Sequence, residues 1–123
     1  MSDAARRHVV LVGHGSRSAE ANASLATLAA GLARDLREPV RPAYLELTTP
    51  SIPDALHAAL AAGATRITVV PYFLSPGMHV QRDIVEIVAA VRRTTGAVIE
   101  IAPFLGAHPD VPRLLAEIAA APP

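Results

Sequence analysis

Cysteine is absent from this 123-residue sequence, which removes disulfides, thiolate metal sites, cysteine-ligated iron–sulfur clusters and cysteine nucleophiles at one stroke. Any metal must therefore be held by histidine, carboxylate or the substrate. Lysine is missing too: all eleven basic side chains are arginine. That bias is either shared with the abundant alanine or a preference for the forked donor that grips carboxylates. No run approaches the ~20 apolar residues that a membrane-spanning helix requires. The first eight residues, Met1 to His8, are polar and basic, without the apolar core and cleavage signal of a leader, so no targeting segment is expected. The expected compartment is the cytoplasm, with no membrane partner. Formal charge balances at zero, so the basic excess that a nucleic-acid binder needs to neutralise phosphates is lacking as well. Aromatic residues make up only 3%, which leaves the core to aliphatic side chains.

What is present alternates. His8-Val9-Val10-Leu11-Val12-Gly13 is an apolar run suited to a central parallel strand. The loop His14-Gly15-Ser16-Arg17-Ser18 follows, with Ser18 placed to cap a helix whose apolar positions Leu25, Leu28, Leu32 and Leu36 recur at helical spacing. Val40 to Leu45 reads as a second strand, and Pro42 inside it removes a ladder donor and sends it to an edge. Ser51 with Asp54 has the form of a capping box, opening a helix through Ile52, Leu56 and Leu60 that Gly63 can close. Ile67 to Pro71 is a third buried strand. After a Ser-Pro-Gly break the period turns helical through Val80, Ile84, Ile87, Val88 and Val91, ending near Gly96. Ala97 to Ala102 alternates as a fourth strand, and Asp110 can cap a last helix through Leu114, Leu115 and Ile118. Length and pattern predict a single domain over residues 1–123. Four strand–helix alternations predict an α/β fold: a doubly wound four-stranded parallel sheet, order 2-1-3-4, with helices on both faces.

In that order the first and third strands are neighbours, and ligands bind at such a switch point beyond the carboxyl ends of the strands. His14 follows the first strand and His79 the third, so two imidazoles distant in sequence share the predicted rim. A helix amino end disfavours positive charge, which helps keep His79 neutral and able to donate a lone pair to a metal. Two histidines make an open site of the catalytic or transfer kind, since structural metals are closed off by four protein ligands. Nitrogen ligation suits iron, cobalt, nickel or zinc over calcium or magnesium. Glu46, leaving the second strand on the same rim, can supply a carboxylate or a base. Arg17 and Arg82 lie near the two histidines and can grip carboxylates, with Arg41 a further candidate, although Arg82 can equally pair with Glu86 at helical spacing. His8 starts a strand, His57 is mid-helix and His108 precedes a proline in a loop, so these three carry less weight.

Three blocks of sequence together resemble the small CbiX-type sirohydrochlorin chelatases: Gly13-His14-Gly15-Ser16-Arg17; Tyr44-Leu45-Glu46 with Pro50-Ser51-Ile52; and Pro71-Tyr72-Phe73-Leu74 with Pro76-Gly77-Met78-His79-Val80 and Asp83-Ile84. Gly106-Ala107-His108-Pro109 is similar to that family's closing segment. The resemblance implies the chelatase fold and insertion of a divalent metal (Co²⁺ first, Fe²⁺ or Ni²⁺ as alternatives) into sirohydrochlorin, on the way to cobalamin, sirohaem or a nickel tetrapyrrole. It implies a homodimer with the cleft between subunits, and no organic cofactor. The family's two metal-binding histidines map onto His14 and His79 and its acidic position onto Glu46, giving His14, His79 and Glu46 as catalytic residues. The substrate carries eight carboxylates, for which Ser16, Arg17 and Arg82 are the expected binding residues. The His-rich tail of some members is absent.

Other readings of the same residues stay open. A metal carrier would use the two histidines without turnover. A histidine phosphatase would place an arginine where Gly13 stands. A phosphate-binding module would use the Gly13-His14-Gly15-Ser16 loop at a helix amino end, although the loop lacks the Walker lysine and the full dinucleotide glycine pattern.

Overall fold

A computed structural model describes residues 6–122. Four strands, β1 (Arg7–Gly13), β2 (Val40–Tyr44), β3 (Arg66–Pro71) and β4 (Val98–Ile101), form one parallel sheet in the order β2-β1-β3-β4. Every residue of β1 from His8 onward is buried, as its unbroken apolar run requires. Pro42 sits on the outer strand opposite Leu11, where its missing N–H breaks no interior ladder. The helices are α1 (Ala19–Leu36), α2 (Ile52–Ala61), α3 (Met78–Thr95) and α4 (Val111–Ala120).

Alternation along the strands divides the core between the two faces of the sheet. Val10, Val12, Ile67 and Val69 pack with Ile52 and Leu56 of α2 and with Ile84 and Val88 of α3. Leu11 and Tyr44 pack instead with Leu25 and Ala29 of α1. Ser18 caps α1, its Oγ accepting from the Ala21 N–H at 3.3 Å. Ser51 caps α2 by accepting from Asp54 at 3.2 Å. Gly96 closes α3 with φ +68°. No helix among the described residues is long and apolar enough to cross a membrane.

Several expectations need correction. The stripe of α1 is not Leu25, Leu28, Leu32 and Leu36: the buried positions are Leu25 and Ala29, while Leu28 and Leu36 are exposed. A small residue lets the helix approach the sheet, and the leucines beside it face an uncovered apolar groove. Gly63, by contrast, closes α2 as expected: it follows the cap residue Ala62 at φ +99°, with its N–H donating to Leu60 O and the Ala64 N–H to Ala59 O, each at 3.0 Å. Asp110 occupies the cap position of α4 without capping it, because its carboxylate accepts from Arg113 at 2.9 Å instead. The second face of the sheet is only partly covered. Helix α4 buries none of its residues, leaving Leu114, Leu115 and Ile118 at 45%, 58% and 72% exposure.

The groove this leaves has a volume of about 520 Å³ and is walled by Leu11, Leu28, Leu32, Val70, Phe104 and Leu105, among others. Charge gathers at the other end of the sheet, where Arg7 pairs with Glu38 and Arg66 with Glu100. Arg41 belongs to that end as well. It contacts His8 Nδ1 at 2.8 Å near the start of β1, so it is not available on the rim to grip a substrate.

Candidate active site

The carboxyl ends of β1, β2 and β3 open on one rim, and the ladder is extended past them before the chain turns. Leu45 N–H donates to Gly13 O and Glu46 N–H to His14 O, each at 3.0 Å, and Tyr72 N–H donates to Val12 O at 2.8 Å. These bonds carry the register of the sheet into the loops. They set His14 beside Glu46, and His14 Nε2 lies 2.9 Å from Glu46 Oε2. Both side chains are half exposed. A ligand or a proton can therefore reach the pair from solvent.

The two loops fit this closely because Gly15 has no side chain. It has φ +96°, and a Cβ placed on it would fall inside the Glu46 carbonyl, only 3.0 Å from its carbon. Leu47, the residue after Glu46, is itself left-handed at φ +69°, an uncommon conformation for a bulky residue. The turn thus holds the Glu46 carboxylate toward His14 at a backbone cost.

His79 is the second residue of α3, exposed at its amino end on the loop that follows β3. It shares the rim with the pair but makes no hydrogen bond with either residue. Among the described residues, no three His, Asp or Glu side chains gather into a ready-made metal cage. The arrangement is an open one, with the donors on separate loops.

A hollow of about 270 Å³ beside the pair is lined by His14, Ser16, Asn22, Tyr44, Tyr72 and Phe73, among others. Ser16 is part of this wall, but its polar groups are engaged internally. Its Oγ accepts from the Ser18 N–H at 3.0 Å, and its backbone N–H and C=O are both bound by the Asn22 side chain, at 3.0 and 2.8 Å. Arg17 is exposed at the end of the same loop. Arg82 lies on α3 near His79, over a shallow hollow with Met78, Gln81 and Val85. Among the described residues neither arginine forms an ion pair, so the alternative pairing of Arg82 with Glu86 is not made.

Asn22 and Tyr44 are the contributors that sequence reasoning missed. Asn22 clamps Ser16, and the buried Tyr44 hydroxyl donates to the Asn22 carbonyl at 2.6 Å, so β2 holds the loop after β1 through the first turn of α1. Burial raises the Tyr44 pKa and keeps the hydroxyl protonated for that bond. An asparagine so early in a predicted helix is the one signal that marked this clamp in advance, since asparagine bonds backbone groups readily. Of the remaining histidines, His57 is exposed on α2. His108 Nδ1 accepts from the Asp110 N–H at 3.0 Å.

The model of the CbiX family matches residues 8–121. The chloroplastic sirohydrochlorin ferrochelatase of Arabidopsis thaliana is 37% identical over 102 residues, covering 81% of this chain and 45% of that protein. Among solved structures, a cobalamin (vitamin B12) biosynthesis CbiX protein from Marinobacter aquaeolei VT8 superposes with a TM-score of 0.82 at 26% identity, covering 92% of this chain and 93% of that one. The sirohydrochlorin chelatase SirB of Bacillus subtilis subspecies spizizenii, in complex with cobalt, gives 0.80 at 29% identity, covering 91% and 49%. The chain thus spans about half the length of the curated relatives it matches.

Proposed function

Because this chain belongs to the CbiX family, we propose that it is a sirohydrochlorin chelatase inserting a divalent metal into the macrocycle, in cobalamin- or sirohaem-type biosynthesis in the cytoplasm. The observation that carries this reading is the His14–Glu46 pair at 2.9 Å, on a rim where His79 opens the helix after the neighbouring strand. The relatives' names divide between iron and cobalt, and neutral imidazole accepts Co²⁺, Fe²⁺ or Ni²⁺ alike. Co²⁺ is the first choice.

In this mechanism His14 and His79 hold the metal, and Glu46 serves as a base. Insertion requires the ring to lose two pyrrole protons while the metal exchanges protein or water ligands for ring nitrogens. Glu46 stands where it can take up a proton, directly or through His14, as the metal leaves. Few protein ligands favour release, since a closed cage would retain its ion. Arg17 and Arg82, free of competing carboxylates, are placed to hold acidic substituents of the ring. Ser16 contributes by shaping the loop, since its hydroxyl is already engaged.

The chain is proposed to act as a single domain that pairs with a second copy. The groove on the sheet and the apolar face of α4 are complementary unburied surfaces of the same chain. The groove's own wall includes Leu105, Ala107, His108 and Pro109, the residues leading directly into α4. No residue of α4 itself lines the groove, and the α4 of a second copy is the segment suited to fill it.

The test is an anaerobic absorbance time course of sirohydrochlorin with Co²⁺, Fe²⁺ or Ni²⁺, comparing wild-type protein with His14→Ala and His79→Ala. Acceleration above the uncatalysed rate, reduced at least a hundredfold in both folded variants, is expected. Metal binding without acceleration would make the protein a carrier and overturn the catalytic reading.

A further inference from the structure

Gly106 lies in the 3-10 turn Leu105–Ala107 that follows β4, and the chemistry described so far gives it no part. Its N–H donates to Phe73 O at 3.0 Å. A Cβ at this position would fall inside the Leu74 carbonyl group, 2.5 Å from its carbon and 2.9 Å from Leu74 Cα. These are backbone atoms, which cannot rotate aside as a side chain would. Gly106 has no positive φ, so space rather than conformation demands glycine here.

The peptide seated on Gly106 belongs to the loop between Pro71 and Met78, which delivers His79 to the rim. Elsewhere the loop is held by Phe73, packed against the core, and by Gln81 Nε2, which donates to Pro76 O at 3.3 Å, but Leu74 itself is 68% exposed and a Cβ added at Gly77 would meet nothing within 4 Å. By contrast, the 3-10 turn is internally braced, with Ala107 N–H donating to Phe104 O and His108 N–H to Leu105 O, each at 3.0 Å. The turn is thus a firm seat and the loop the part that conforms to it.

We infer that Gly106 is a positioning residue for His79: its bare backbone lets the β3–α3 loop seat against the segment after β4, and that seating sets where His79 stands relative to His14. The inference rests on the reading of His79 as a metal ligand. Site geometry tolerates displacements of only about 0.5 Å, and an added methyl group at Gly106 must move the loop further than that.

The experiment compares wild-type protein, Gly106→Ala, Gly77→Ser and His79→Ala, each checked for folding by circular dichroism. Co²⁺ is titrated anaerobically and followed by its visible ligand-field bands and by calorimetry. Gly106→Ala is expected to bind Co²⁺ at least tenfold more weakly with an altered band pattern, approaching His79→Ala. Gly77→Ser, two residues before His79 but with room for a side chain and good capping chemistry, is expected to match wild type. A folded Gly106→Ala with wild-type affinity and bands overturns the inference, because a purely structural role would lower stability without altering ligation. A wild-type protein that takes up no Co²⁺ overturns it through the His79 assignment instead.

Wild-type protein provides a second test if Gly106→Ala does not fold. During a Zn²⁺ titration followed by amide NMR, the Gly106 resonance should move with the same saturation as that of His79, and stay still in His79→Ala. A Gly106 signal indifferent to Zn²⁺ in wild-type protein overturns the inference equally.

Discussion

Arginine can only donate, so the 2.8 Å contact of Arg41 Nη1 with His8 Nδ1 fixes that ring as neutral, with its proton on Nε2. His8 is 7% exposed. Burial lowers its pKa first, and the charges of Arg41 and Arg6 lower it further against a smaller opposing effect of Glu38. The consequence for stability has a definite sign. Below the ordinary histidine value of about 6.5 the unfolded chain binds a proton that the folded chain resists, so stability falls as the pH drops through that value and is fully retained above it. Urea midpoints of wild-type protein and His8→Gln, measured between pH 8 and pH 5, are expected to converge at low pH, since glutamine keeps an acceptor for Arg41 without titrating. Parallel curves would show that His8 charges without penalty. The same residue type at position 14 faces a carboxylate instead of a guanidinium and is open to solvent, which suits it to exchange ligands.

Helix α1 ends at Arg37, which is left-handed at φ 57° while its N–H donates to Ala33 O at 2.8 Å. Glycine adopts that cap conformation without the Cβ penalty. Arg37→Gly is therefore expected to raise stability by about 0.5–1 kcal/mol, read as a higher urea midpoint with an unchanged slope; a lower midpoint would mean that the arginine side chain contributes more than its backbone costs. How far elements were legible in the sequence depended on what they pack against. Helix α3 could be read in full, because Ile84, Val88 and Val91 meet the sheet and Gly96 stops it where expected. Strand β2 could be placed at the edge from Pro42 alone. The face of α1 could not be read, since periodicity cannot tell a leucine that meets the sheet from one that borders a groove. Nor could the failed cap at Asp110, where the competition with Arg113 is settled by side-chain geometry. At the site, His14, Glu46 and His79 were visible because strand order puts successive loops on one rim. The Tyr44 bond to the Asn22 carbonyl and the seat at Gly106 were not, because each depends on how two segments distant in sequence approach.

For the molecule as a whole, the face of the sheet left partly bare and the bare face of α4 are best understood together. Burying Leu114, Leu115 and Ile118 in a partner's groove is worth roughly 2 kcal/mol per side chain, and a reciprocal exchange counts each contact twice, against an association cost of about 4–15 kcal/mol. Sedimentation is expected to give a dimer for wild-type protein and a folded monomer for the triple variant Leu114→Ser, Leu115→Ser, Ile118→Ser. A wild-type monomer at micromolar concentration, or a triple variant that still pairs, would contradict the exchange.

The apolar character of that groove also bears on temperature. In the proposed dimer, association that draws on the release of water from aliphatic surface weakens on cooling. Chilled and diluted, such a dimer is expected to separate into subunits, and warming to restore it. Cold lability of assembly is thus the expectation for the proposed dimer, and it traces to a helix that buries none of its residues on its own sheet.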